Sequence, residues 1–442
     1  MGQDSGFRSQ DSGDGGTTND TFRIDRLTLK NFRCFEEKTI HFHPRFNVLI
    51  GDNGSGKTAV VDALACCFTC AMVEAHVEHG GPVLGTPDAR RETIQAEPIS
   101  QMEAHYPVDL RLRTTAGSVG VYLKAATLPT GGTRGGLQLF HRQYDAGLRP
   151  LVAYYGEARY SASRSGTADG FVGQQPRVHG YVGCLAATAN AQYMLRWMKQ
   201  VEVVRLQEEG AVPALDMAKA AITACVPGLR DLIYRIRDDE LTVDMADGRS
   251  LPFRMLPSGV RSMLAMVADM AWRASFLNPD LGADAARETP GVVLIDEIDL
   301  HLHPKWQRHV VDDLKRAFPK VQFIVTTHSP FIIQSLEPGE LITLDEGEQL
   351  PAEVYFRRSI EDIAEDAMGV PVPSRSAKFQ EMVKTAERYF GLLREGEAVD
   401  PAQRDELKRQ LDELMARFSD DPAWVALLSA EREAAGPGVG VP

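Results

Sequence analysis

Phe46-Asn47-Val48-Leu49-Ile50-Gly51-Asp52-Asn53-Gly54-Ser55-Gly56-Lys57-Thr58, with the helix-forming run Ala59 to Ala71 behind it, is the stretch that decides the fold class. An apolar strand feeding a Gly-rich turn into a helix start aims backbone N–H groups and the positive end of a helix dipole at one spot, where a triphosphate is held. Gly51 and Gly56 stand where side chains would block the phosphates, and Asn53, Gly54 and Ser55 complete the turn. Lys57 supplies a point charge for the β- and γ-phosphates, and the Thr58 hydroxyl a ligand for Mg²⁺. An ordinary Gly/Asn turn before a helix needs neither flank; here both are present.

A P-loop needs an acidic strand end, and Gly291-Val292-Val293-Leu294-Ile295-Asp296-Glu297 provides one. Such a buried strand brings Asp296 to the carboxyl edge of the sheet beside Thr58, where it holds Mg²⁺. Glu297, one residue farther out, is placed to orient or deprotonate the attacking water. The next apolar strand ends in Thr326-Thr327-His328-Ser329-Pro330, which delivers His328 to the same edge as a hydrogen-bond partner for a γ-phosphate. A lone strand-end His is more often structural, but here it is the third member of an ordered set.

Leu256-Pro257-Ser258-Gly259-Val260-Arg261-Ser262 opens a strong amphipathic helix, Ser258 to Leu277. It is a second anion site at a helix start, with Ser258 and Gly259 as its candidate residues, and it is not in the loop of Lys57. Two copies facing head to tail bring both to one nucleotide more easily than one fold does.

Composition narrows the class. At 442 residues the chain has room for two or three domains, or for one core with an insertion and an appendage. A net charge of −13 argues against a surface that coats nucleic acid by bulk attraction. No apolar run reaches the length of about eighteen residues that a membrane span needs. Met1 to Thr21 is neither a signal nor a transit peptide, so the expectation is a cytoplasmic chain with a disordered leader. Cys66-Cys67-x-x-Cys70 falls in the apolar helix after the P-loop without a second ligand pair, and reads as core rather than as a metal site.

The expected organisation is a leader over 1–21, an N-lobe with the P-loop and antiparallel strands over 22–177, a helical insertion over 178–230, a C-lobe over 231–358 and a helical region over 359–442. Within it, 80–97 and 169–177 read as Gly/Pro-rich loops, 106–125 as a hairpin, 278–290 as a loop and Pro304 to Phe318 as one helix. His301 and His303 fit capping and packing better than a metal site. The tail cations Arg375, Lys378, Lys384 and Arg388 fit a solvated face.

With Asn31-Phe32-Arg33 after the first strand, the P-loop, the Leu256 to Ser262 turn, Asp296-Glu297 followed by Ile298-Asp299-Leu300-His301-Leu302-His303-Pro304, and Thr327-His328-Ser329-Pro330, the chain resembles an ABC-class ATPase of the RecF/SMC/OLD-like group. The resemblance implies an α/β P-loop NTPase of ABC-type head form, with an antiparallel β subdomain, a short helical insertion and a helical C-terminal tail. It further implies ATP and Mg²⁺ as cofactors and two ATPs sandwiched between two heads, each P-loop completed by the partner's signature turn. Arg33 would lie near the phosphates, and Asp299 would couple the two sites across the interface. One departure is plain: Pro257 stands where the group's signature serine belongs, with Ser258 one place later, so slow hydrolysis is implied.

Ala153-Tyr154-Tyr155-Gly156-Glu157-Ala158-Arg159, Gly180-Tyr181-x-x-Cys184-Leu185, the Met266 to Arg273 helix and Ser359-Ile360-Glu361-Asp362-Ile363 narrow the resemblance to Septu-type PtuA ATPases, including retron-associated forms. That family implies an anti-phage role beside an HNH nuclease partner, PtuB, a homodimer or higher homo-oligomer, and nucleic acid reached through the complex. No His-Asn-His block is visible in this chain, so the nuclease would be the partner's. Two alternatives stand beside this one. A DNA repair or DNA-binding ATPase of the RecF kind would use Arg90-Arg91 or the stretch with Arg134 and Arg142, and a transporter ATPase is disfavoured by the insert and by the lack of a membrane segment.

Overall fold

The computed structural model describes residues 22–72, 79–94, 101–125, 132–135, 137, 140, 147–157, 177–187, 191–207, 211–345, 358–366, 368, 381–382, 384–386, 388–389 and 401–415. The leader, Arg142, Arg159, the 169–176 linker, Arg375 and Lys378 lie outside them, as does the side chain of Arg134. The chain divides into two compact units, 1–358 and 359–442. In the second, helices are described at Ile360–Asp366 and Pro401–Met415.

The first unit opens with β1 (Ile24–Phe32), β2 (Phe35–His41), β3 (Phe46–Ile50) and α1 (Lys57–Ala71). There follow β4 (Arg91–Ile94), β5 (Gln101–Ala104), β6 (Val108–Thr114), β7 (Gly117–Leu123), β8 (Gly132–Gly135) and β9 (Leu151–Tyr155). Burial along β1, β6 and β7 alternates as it must in a sheet with one wet face. These strands form an antiparallel sheet in the order β2-β1-β6-β7-β8.

The second half contributes α2 (Ala191–Gln207), α3 (Pro213–Cys225), β10 (Leu229–Arg235), β11 (Glu240–Met245), β12 (Ser250–Pro252) and α4 (Ser258–Leu277). After these come α5 (Ala285–Glu288), β13 (Gly291–Ile295), α6 (Pro304–Gln307), α7 (Val310–Ala317), β14 (Val321–Thr326), α8 (Pro330–Ile333) and β15 (Leu341–Thr343). A parallel sheet runs β15-β3-β14-β13-β9. Every residue of β3, β9, β13 and β14 is buried, because a parallel sheet covered on both faces selects continuous apolar runs.

Helix α1 packs against strands of both sheets, so it is apolar nearly all round. Its Phe68 meets Phe22 and Phe140, with ring centroids 6.4 and 6.3 Å away. Cys66 and Cys67 are buried here; desolvation pushes the Cys66 thiol up to about 12, as suits a small core residue.

Several local expectations change. The region 178–227 holds two helices after a short 3₁₀ turn, the second restarting at Pro213, whose fixed φ suits a first helical position. Both helices pack on α4 rather than standing apart. The loop read over 80–97 contains β4, which pairs with β5 in a small hairpin, and 278–290 contains α5. The helix expected from Pro304 to Phe318 is broken at Arg308 and His309, with no Pro or Gly to announce it. No helix among the described residues is long and apolar enough to cross a membrane.

Candidate functional site

The parallel sheet places the ends of β3, β13 and β14 side by side, so three motifs far apart in sequence converge at one edge. They line a cavity of about 360 Å³ together with the turn after β1: Arg33, Asn53, Gly54, Gly56, Lys57, Thr58, Asp296, Glu297 and His328 all contribute. Ser55 lies within the same turn, with its N–H donating to the Asp52 carbonyl at 3.1 Å.

Gly56 adopts φ +96°, which a side chain resists, and a Cβ there would come within 2.5 Å of Cys34 Sγ and the Phe35 ring. The β1–β2 turn therefore seats the P-loop from outside. On its other flank, both carboxylate oxygens of Asp345, just after β15, accept from Asp52 N–H at 3.3 and 3.0 Å. Lys57 Nζ donates to the Gly51 and Asp52 carbonyls at 2.7 and 3.0 Å. Burial lowers the Lys57 pKa below the ordinary lysine value, opposed by Asp345, Asp296, Asp52 and Glu297.

Thr58 Oγ1 donates to Asp296 Oδ2 at 2.9 Å, joining residues 238 positions apart. Thr326 Oγ1 donates to Asp296 Oδ1 at 2.6 Å and accepts from Glu297 N–H at 2.7 Å. The hydroxyl and carboxylate oxygens of Thr58 and Asp296 are a hard donor set at the cavity wall, and they fit Mg²⁺. Backbone N–H groups at the α1 start, with Lys57, fit a triphosphate.

Glu297 sits at φ +51°, a left-handed conformation costing a non-glycine residue about 1 kcal/mol. Three bonds hold it: Asp296 N–H to the Tyr155 carbonyl, Glu297 N–H to Thr326, and Ile298 N–H to the Thr326 carbonyl, at 2.7, 2.7 and 3.0 Å. Strain held this way aims a side chain. His328 is framed by pinned neighbours, since Thr327 Oγ1 donates to Asp299 Oδ1 at 2.5 Å and Ser329 Oγ donates to Gln307 Oε1 at 2.7 Å.

Ser258 and Gly259 do not line the cavity. Ser258 is exposed at the first turn of α4, with Pro257 as its N-cap and no side-chain cap bond. Gly259 is buried, and a Cβ there would overlap the carbonyl oxygen of His301. Asp299 faces Thr327 within the chain. His303 caps α6, its Nδ1 accepting from Lys305 N–H at 3.2 Å.

Sequence reasoning missed Cys34, Thr326, Asp62, Asp88 and Asp345. Thr326 adjoins the Thr-His pair and was within reach; the others are a turn residue and acids without motif spacing, and only the fold brings them to the site.

Two family models match the chain: an "AAA domain" over residues 26–111 and an "AAA domain, putative AbiEii toxin, Type IV TA system" over 218–334. The chain is similar to a Retron Ec83 probable ATPase of Escherichia coli, 36% identical over 146 residues, covering 33% of this chain and 26% of that protein. It is also similar to a Septu protein PtuA of Bacillus mycoides, 24% identical over 340 residues, covering 74% of this chain and 41% of the relative. The match thus spans well under half the length of either relative. Among solved structures, an SMC head domain from Thermotoga maritima matches with a TM-score of 0.39 and 16% identity, covering 73% of this chain and 94% of that one. The chain is thus similar, over these stretches, to AAA-domain models and to proteins named as Septu and retron ATPases.

Proposed function

We propose that this chain binds and hydrolyses ATP with Mg²⁺ and acts as the ATPase subunit of an anti-phage defence system. The bond from Thr58 to Asp296 carries the reading, because it unites the P-loop with the acidic strand end in a cavity that Glu297 and His328 also line. The names of the retron and Septu relatives support the defence role.

In this reading, Lys57 and the N–H groups at the α1 start bind the β- and γ-phosphates, while Thr58 and Asp296 hold the metal. Mg²⁺, when bound, neutralises charge developing on the phosphate oxygens. Glu297 accepts a proton from the attacking water as its oxygen bonds the terminal phosphorus and the bond to the bridging oxygen breaks. His328 donates a hydrogen bond to a terminal phosphate oxygen, and Thr326 keeps Asp296 and the Glu297 backbone in register.

A second copy would supply its Leu256 to Ser262 turn, head to tail. Support comes from the exposure of Ser258 outside the cavity, together with the resemblance to two-headed ATPases. Closed heads would hold an HNH nuclease partner in check, a role drawn from the resemblance to Septu-type systems.

The test is ATP turnover by the purified chain, with light scattering with and without Mg-ATP. Glu297→Gln should keep ATP binding, lose about a hundredfold or more in turnover, and accumulate as an ATP-bound dimer. Unchanged turnover in Glu297→Gln would sink the catalytic assignment, and a monomer under every nucleotide condition would sink the paired heads. Robust DNA cutting by this chain alone would remove the need for a nuclease partner.

A further inference from the structure

Arg33 stands at the cavity wall with its guanidinium held by two carboxylates. Nη1 donates to Asp62 Oδ2 at 2.7 Å, and Nε donates to Asp88 Oδ1 at 3.0 Å. Asp62 lies one turn beyond Thr58 on α1, so it is rigidly tied to the helix that begins the phosphate loop. Its other oxygen accepts from the Tyr154 hydroxyl at 2.9 Å. Tyr154 projects from β9, the strand paired with β13 beside Asp296. Burial, then the charge of Asp62, raises the Tyr154 pKa, so the hydroxyl remains a donor.

The backbone adds to this. Arg33 is left-handed at φ +50°, and its N–H donates to the Asp88 carbonyl at 2.8 Å. Burial pulls the Arg33 pKa down, but the two carboxylates outweigh it and leave the guanidinium above its ordinary value. For a side chain still 35% exposed, one carboxylate would serve as an ordinary surface pair of small worth. Two carboxylates and a strained backbone, beside the P-loop, describe an aimed cation instead.

We propose that Asp62, itself fixed by Tyr154, is a positioning residue that aims the Arg33 guanidinium at the nucleotide phosphates. This rests on the ATP-site reading above. Asp62 suits the task better than Asp88, whose second oxygen accepts from Gly85 N–H at 3.1 Å and so also holds its own turn. A carboxylate on α1 keeps Arg33 and the phosphate-binding N–H groups in one frame, whichever way the loops around them move.

The experiment measures the Mg-ATP dissociation constant, KM and kcat for Asp62→Asn, Tyr154→Phe, Arg33→Ala and the doubles with Arg33→Ala. Asp62→Asn should weaken ATP binding about five- to tenfold, with KM raised by more than kcat falls. Tyr154→Phe should act in the same direction and less. In the Arg33→Ala background, either change should move affinity by less than about twofold, the signature of a shared interaction. A loss from Asp62→Asn that persists in full without Arg33, or a lowered melting temperature with unchanged affinity, would overturn the positioning role. Where Asp62→Asn does not fold, the Tyr154→Phe cycle decides by the same criterion. Lys57→Ala separates the two readings: undiminished ATP binding there sinks the ATP site itself, whereas lost binding there beside a null Asp62 cycle sinks only the positioning role.

Discussion

Two glycine turns open two helices in this chain, Gly56 before α1 and Gly259 at the start of α4, and they do different work. Gly56 is required by a left-handed backbone and by the Cys34 and Phe35 side chains against it, and the side chains beyond it close on Asp296 within the same chain. Gly259 is required because α4 packs directly on the carbonyl of His301, in the loop that follows Glu297. Its neighbour Ser258 faces outward, away from the cavity. One turn closes on the cavity inside the chain, and the other locks a helix to the loop after Glu297 and leaves Ser258 exposed.

The largest expected effect tests the first half of that contrast. Gly56→Ala forces a Cβ into the Cys34 and Phe35 contacts at an unfavourable φ, so ATP affinity should fall by about a hundredfold or more, read by calorimetric titration. Near-normal affinity would mean that the β1–β2 turn does not seat the P-loop.

Gly259→Ala comes next and should act on folding. Overlap with a backbone carbonyl, which cannot swing aside, should destabilise by about 1–3 kcal/mol in denaturant titration. An unchanged midpoint would break the claim that α4 is locked to the His301 loop. Thr58→Ala is smaller again, with the advantage of Mg-ATP over metal-free ATP reduced about tenfold and stability little changed, a difference visible in magnesium titrations.

Pro257→Ser restores a hydroxyl at the signature position and should raise turnover about two- to fivefold without changing ATP affinity. If turnover does not rise, the expectation that Pro257 slows hydrolysis fails. The mildest effect is on pH dependence. The proposed role of Lys57 on the phosphates requires its charged form, and burial lowers its pKa, so ATP affinity should decline as pH rises before the ordinary lysine range is reached. Lys57→Arg should extend binding to higher pH; a decline at the same pH in both would assign the titration elsewhere.

Legibility in the sequence followed contiguity. The strand–turn–helix at Phe46 to Ala71 and the strand ending in Asp296 are read from neighbouring residues, because their buried strands are continuous apolar runs. Asp345, Asp62 and Asp88 carry no such mark, since each acts through a hydrogen bond to a residue 29 to 293 positions away. The break between α6 and α7 was likewise invisible, as no breaker residue occupies it.

By itself the sequence determined the P-loop, the acidic strand end, the strand-end His328 and their order, because phosphate and metal binding constrain residue type at fixed short spacing. Only the tertiary structure decided that Thr326 bridges Asp296 to the Glu297 backbone, that Arg33 is clamped by two carboxylates, and that Gly259 serves a contact within its own chain. The physical reason is that each is a contact between segments far apart in sequence, the first between neighbouring strand ends and the other two between helices and loops. Parallel pairing of β14 and β13 brings Thr326 beside Asp296, and no local pattern encodes it.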